Sequence, residues 1–499
     1  ITGNIGATAL TSLDINQSAG TGSITLSGDI GAHNASGAGV VRLGNDSLTG
    51  TITFGGADYN TTGAQTYIAD AYSMTGTDPD FATDNDNIGF EDGNITLVTA
   101  ADLTVDTGSG TAGNISIEGA IAGTSGGGTT TVTLEAGSGT VGVAGMGTDI
   151  GNVTIDGSGG VTLNGSITTS AGNIDINDAT TLATGAITLT TANGSVDFAS
   201  TINGGQNLTI SSGSGAVGLN GVIGGSTTLG TLTINAASAS NTSSGVITIE
   251  DIGDGNTIGA GATNIGNTNT TDLNLIGDTY KHGAAVYTAA SGNTIDLTDG
   301  AGNVTFTLSN ASLEFAGGNI ELSNGSDLVV GTGNAAITAA GIVGTSYEDV
   351  TLTTTGTLTI GTGGIGTGTT IEDINLDGGS IVLQGDIVTS ATGDTDADVD
   401  FDGAVVIDGA ISITTDVSGG TADDGKIDFS STINAEGSGT DSLTLNSGAG
   451  TITLGGVIGG GTALDALTID ATALTISNNI TTADGLIDIN APVTLGGDI

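Results

Sequence analysis

The sequence predicts an all-β solenoid, a chain wound into stacked coils of short strands, on three observations. First, the chain repeats itself: GVIGGSTTLGTLTIN at 221–235 returns as GGVIGGGTALDALTID at 455–470, with weaker copies at 4–16, 146–156 and 366–379. Self-similarity of this kind marks an array architecture. Second, short segments alternate apolar and small polar residues with period two, as a strand with one dry and one wet face does. Third, the 499 residues show no linker, no helical period and no shift in composition, which is too long a run for one sandwich.

The repeat boxes share Thr8, Thr148, Thr227, Thr369 and Thr462, whose spacings alternate long and short. The larger unit is a pair of roughly 220 to 235 residues. Other phrases travel with the box: ITTSAGNIDIN (167–177) returns as ITTADGLIDIN (480–490), and VDFASTIN (196–203) as IDFSSTIN (427–434). One module has been copied and has drifted, and the whole of 1–499 reads as a single continuous solenoid.

The strands follow from SITLSG (23–28), NITLVT (94–99), NISIEG (114–119), NVTIDG (152–157), SVDFAS (195–200) and TLTINA (231–236). Ile, Val, Leu and Thr fill them, and Gly, Asn, Asp and Ser separate them. With 8 Phe, no Trp and 2 Met, the inward residues suit a narrow core. Only 2 Pro occur, so nearly every backbone N–H is free to join a ladder. At about 20 to 25 residues per coil, the chain is expected to make roughly 20 to 25 coils.

Composition limits the function. Three basic residues (Arg42, Lys281, Lys426) stand against 53 acids, for a net charge of −50. Such a chain repels phosphate backbones, so no nucleic-acid partner is expected. No apolar run reaches 18 residues, so no membrane-spanning segment is expected. With no Cys there is no disulfide. Ile1 and Ile499 lie inside ordinary repeats, so the expectation is a segment of a longer repetitive protein, or a subunit capped head to tail by copies of itself.

Two acidic stretches are candidate cation sites. In ATGDTDADVDFDGA (391–404), Asp394, Asp396, Asp398, Asp400 and Asp402 alternate with small or apolar residues. As a strand this places five carboxylates in one row, each neighbouring pair repelling by about 0.6 kcal/mol in water and about 2.5 kcal/mol at an effective dielectric near 20. As a loop, DxDxDG starts a calcium-binding pattern, although position 12 falls on Gly409 instead of Glu. Both geometries favour calcium as the cofactor; the plain alternative is a solvated face. The weaker stretch is TDPDFATDNDNIGFEDGN (77–94), with Asp84, Asp86 and Glu91, read as a loop excursion ahead of a metal site. His33 and His282 sit in turn-like contexts and are expected on exposed loops. Tyr59, Tyr67 and Tyr72 accompany the first long module, Tyr280 and Tyr287 the second. They read as packing, or, for Tyr59, Tyr67, Tyr280 and Tyr287, as an aromatic contact surface for a neighbouring chain or a sugar.

The phrases GVIGG and TTLGTLTIN, with GAQTY (63–67) and VTLGGDI (493–499), resemble the repeats of large bacterial surface exoproteins of the filamentous haemagglutinin and two-partner-secretion type. The resemblance covers most of the chain in such phrases. It implies a right-handed parallel β-helix, export across a Gram-negative envelope, and a place at the cell surface in adhesion or fibre formation. The expected function is an extracellular structural or adhesive stalk whose partners are copies of itself or a host or neighbouring cell surface. A glycan- or receptor-binding module is the alternative. A polysaccharide-cleaving enzyme is the third reading, against which stands the scarcity of basic and histidine side chains, so no enzyme is expected.

Overall fold

A computed structural model of the chain describes residues 1–6, 10–16, 21–31, 38–98, 100–111, 113–124, 128–236, 243–298, 302–368, 371–390, 397–416, 424–437 and 440–496. Among these there is no helix, and the strands are paired in parallel as a β-solenoid of about 18 turns. The chain divides into two compact units, Ile1–Thr248 and Ile249–Ile499.

In the first unit, a turn of the coil carries up to three strand positions. Ile174–Ile176, Thr180–Leu182 and Ile187–Thr190 make one turn, and Val196–Phe198, Ile202–Asn203 and Leu208–Ser211 the next, each strand lying on its predecessor in register. Register puts like on like. Val132, Val153, Ile174, Val196 and Val217 form one inward column, and Leu134, Ile155, Ile176, Phe198 and Leu219 form another. All ten are buried. At about 1.5–3 kcal/mol per buried side chain, these columns supply the cohesion that composition alone would not promise. The residues between them face outwards: Thr133, Thr154, Asp175, Asp197 and Gly218.

The second unit is built the same way. Val399–Ile407 pairs with Ile427–Phe429 and Ile433–Ala435, and Ile427–Phe429 pairs in turn with Thr451–Leu454. Its longest strands, Glu348–Ile360 and Ile371–Leu383, run through two strand positions with register shifts between.

The repeat box encodes a corner. Ile223, Ile365 and Ile458 are buried and each bridges the rung before it. The glycine that follows each, Gly224, Gly366 and Gly459, has φ of 67°, 68° and 69°. Its N–H donates to the carbonyl of Ile202, Ile342 or Ile433 one rung back. A second corner device stacks hydroxyls in the core. Thr169, Thr191 and Ser212 donate to the carbonyl three residues on, at Gly172, Gly194 and Gly215. Buried backbone oxygens at the bends are thereby satisfied without water.

Four sequence expectations change. The turns are about 18, fewer than 20 to 25, because coils lengthen where extra residues enter the bends: the hydrogen bond from Asn173 to Asn152 spans 21 residues, that from Lys426 to Asp398 spans 28. The stretch 77–94 is largely rung instead of loop, since Phe81, Ile88 and Phe90 draw Asp80–Ala82 and Ile88–Leu97 onto the core. Of the two readings of the tyrosines, packing holds and the contact surface falls: Tyr59, Tyr67, Tyr72, Tyr280 and Tyr287 are fully buried, each ring packs on a phenylalanine and each hydroxyl finds a hydrogen bond inside. His282 is no loop residue: it ends the strand Thr279–His282, wholly buried, because the Tyr287 hydroxyl and the Gly283 carbonyl satisfy both ring nitrogens. His33 lies outside the described residues.

Candidate functional site: the acidic strand and its lysine

The strand Val399–Ile407 of the second unit brings together the described part of the acidic row. Ala397, Val399 and Phe401 are buried, so period-two alternation turns Asp398, Asp400 and Asp402 outwards. Phe401 anchors the strand by stacking on Phe429 of the next rung, 4.4 Å between ring centres and 2° between planes. A strand, not a DxDxDG loop, is thus what the sequence forms at 399–402. Asp394 and Asp396 lie outside the described residues.

The charge that this row attracts comes from the chain itself. Lys426, in the next rung, places its Nζ 3.2 Å from Asp400 Oδ1, 3.3 Å from Asp428 Oδ2 and 3.7 Å from Asp398 Oδ2. Partial burial acts to lower the pKa of the ammonium, but its hydrogen bonds to Asp400 and Asp428 and their charges outweigh that and hold it well above the ordinary lysine range. Beside the clamp runs a groove of about 370 Å³ whose walls include Asp400, Asp402, Asp428, Ser430 and Thr453. Phe401 and Phe429 line the groove along with these polar groups.

Asp398 also belongs to a ladder that sequence reasoning missed. The Asp349 N–H donates to Asp327 Oδ1 at 2.9 Å, Asp373 N–H to Asp349 at 3.1 Å, Asp398 N–H to Asp373 at 2.9 Å, and Lys426 N–H to Asp398 at 2.8 Å. Burial raises the pKa of Asp349, the Asp373 N–H opposes that, and the charge of Asp327 adds to it. In the first unit asparagines do the same work: Asn114 N–H donates to Asn87, Thr140 to Asn114, Asn173 to Asn152 and Ser195 to Asn173. The signal was available, since Gly-Asn directly precedes the first inward Ile or Val in GNISI, GNVTI and GNIDI.

The weaker acidic residues do not converge. Asp84 and Asp86 are exposed on the bend after Ala82, where Asp84 accepts from Asn85 Nδ2 at 3.0 Å. Glu91 lies on the following strand, its pKa raised by burial and then by Glu118, Asp92 and Asp46. Among the described residues, no group of three or more His, Cys, Asp or Glu side chains is placed to hold a metal.

A second concavity in the second unit has the opposite character. A groove of about 330 Å³ crosses several rungs and is lined by uncharged groups, among them Ser291, Asn293, Thr294, Asn319 and Thr362. A Cβ at Gly341 or Gly363 would lie 2.6 or 2.7 Å from Asn319 Oδ1, so these glycines make room for that side chain. Compared with known proteins, the chain matches no family model, no curated protein and no solved structure.

Proposed function

We propose that the chain is a structural β-solenoid of a bacterial surface exoprotein: a stiff, acidic stalk or fibre element outside the cell, with no catalysis of its own. The observation that supports this most is the use made of the polar side chains. Asparagines and aspartates, groups from which a catalytic or metal site would be drawn, are tied into rung-to-rung hydrogen bonds, and core threonine and serine hydroxyls are tied to the carbonyls of their own bends. No helix of the described residues is long and apolar enough to cross a membrane. The strands Ile487–Asn490 and Val493–Leu495, with Leu486, Val493 and Leu495 exposed, form an edge suited to a further parallel rung, the chain's own or that of another copy stacked head to tail. Immunogold microscopy of intact producing cells should decorate stalks or filaments outside the envelope. Label found only inside permeabilised cells removes the reading.

The uncharged groove favours a second reading, a glycan-binding adhesin module. In a chain of charge −50, a patch of amides and hydroxyls with glycine clearance suits a neutral saccharide. Wild-type chain should then retain neutral oligosaccharides (cello-, malto- and manno-series) on an array, and Asn319→Ala should lose them. Equal signals from the two proteins would discard this reading.

A further inference from the structure

Two stretches, DYNTTGAQTY at 58–67 and DTYKHGAAVY at 278–287, build the same aromatic cluster in the two units. Tyr59 stacks on Phe81 at 4.7 Å, and Tyr280 on Phe306 at 4.8 Å. Tyr67 lies over Phe90 at 4.9 Å, and Tyr287 over Phe315 at 5.6 Å. A backbone N–H, of Gly56 or of Gly277, donates to the first tyrosine's hydroxyl at 2.8 or 3.1 Å. The clusters differ in what receives the second hydroxyl. In the first unit Tyr67 donates to Gln65 Oε1 at 2.9 Å, and Gln65 Nε2 donates to the carbonyls of Tyr59 and Ala82 and to Thr61 Oγ1. In the second unit the places of Thr61 and Gln65 are taken by His282 and Ala285, and Thr61 and His282 hold matching bridges, to Ala38 and to Ala260. Tyr287 Oη lies 2.8 Å from His282 Nε2, and His282 Nδ1 lies 3.0 Å from the Gly283 carbonyl. A carbonyl only accepts, so Nδ1 carries the proton and Nε2 accepts from the tyrosine.

We propose that His282 makes this cluster of the second unit an acid-triggered joint, which loosens the rungs between Ile252 and Leu308 when the ring takes up a proton, while the amide-based cluster of the first unit stays closed. A proton on Nε2 converts the acceptor into a donor, so the Tyr287 hydroxyl loses the partner for its hydrogen. It also puts a cation against Phe306 and Leu308 with no carboxylate to meet it. Every neighbouring element agrees on this. Tyr287 is the titratable group in contact from the strand Ala285–Thr288. The paired strand Asn303–Leu308 bears no titratable side chain. Lys281 turns to the other side of its own strand; Asp251, half-buried, accepts from the Thr279 N–H at 2.9 Å at the start of that strand, with Glu250 beside it; Asp254 and Asp278 in the flanking segments, and Glu314 one strand on, are exposed; and Asp327 opens the strand beyond. An open groove of about 570 Å³, walled by Ile258, Thr307, Leu308 and Asn310 among others, reaches His282 from the surface.

Burial pushes the His282 pKa down to about 4, with the hydrogen bond to Gly283 opposing. The sign follows directly. Above the ordinary value of 6.5 the ring is neutral in closed and open forms alike, and the stability is fully present. Below 6.5 the open form binds the proton first, and stability is lost by up to tenfold per pH unit, about 150-fold at pH 4 and levelling near 300-fold well below it.

Hydrogen–deuterium exchange of the full chain, corrected for intrinsic rates, tests the joint. Between pH 6.5 and 4.5, protection of 278–308 should fall about 40-fold, while that of 58–90 does not fall. The double variant His282→Thr/Ala285→Gln, which transplants the pair of the first unit, should be flat in both segments. Should that variant misfold, His33→Gln leaves a single imidazole, whose NMR titration in the otherwise native chain should have its midpoint well below 6.5 and track the exchange. A midpoint near 6.5, or the same acid response in wild type and the folded double variant, overturns the proposal.

Discussion

Lys426 answers at one residue the charge of two aspartates of the acidic row, Asp398 and Asp400. Its ammonium lies against three carboxylates from two rungs, so removing it leaves Asp398, Asp400 and Asp428 facing one another. All four side chains are partly exposed, between 23% and 39%, and solvent screens them, so Lys426→Met should cost only about 1 kcal/mol, less in high salt. The same variant tests calcium. If a hard cation can take the ammonium's place among these carboxylates, calcium should raise the melting temperature of Lys426→Met more than that of wild type. Equal shifts in the two proteins would reduce calcium to diffuse screening. The partner of the acidic row could not be read beforehand, because it lies one full rung away in sequence and only the register brings it near.

The recurring element is the Ile-Gly corner. At Gly366 the backbone is left-handed and an added Cβ would run into the Val388 carbonyl oxygen. Gly366→Ala therefore pays a strained φ of about 1–2 kcal/mol and a backbone clash besides, and a denaturant melt should show a loss of at least that size. A loss under about 0.5 kcal/mol would mean that the corner is not a fixed point of the fold. Corners and strands differed in how plainly the sequence wrote them. Alternation at 23–28, 114–119 and 195–200 foretells the strands Ile24–Leu26, Ile115–Ile117 and Val196–Phe198, because inward Ile, Leu, Val and Phe are a local signal. Coil length is not local: it depends on how many residues each bend absorbs. Nor is the side to which a tyrosine or histidine turns, since Tyr67 and His282 are buried only because Gln65 and Tyr287 meet their polar atoms.

Across the molecule, register stacks acids as faithfully as it stacks valines. Asp106, Glu135 and Asp156 form one column and Asp175 faces Asp197. Burial and then these neighbours raise the pKa of Glu135 and of Asp175. A raised carboxyl gives stability that is fully present below its unfolded value and is lost as pH rises through its folded value. Calorimetry at low salt should therefore find the first unit, which has no counterpart of His282 in its cluster, melting higher near pH 4 than at pH 8. Each kcal/mol gained moves a unit of this size by roughly 2–4 °C. Added salt at pH 8 should recover part of the gap; a lower melting temperature at pH 4 would contradict the account. The side-chain ladders have a direction as well. From Asn152 to Asn173 to Ser195, and from Asp327 to Lys426, the oxygen belongs to the earlier rung and the N–H to the later one. Each finished coil thus presents waiting acceptors to the residues that follow it, so a chain emerging amino terminus first could fold vectorially, every rung templating its successor before the rest has been delivered.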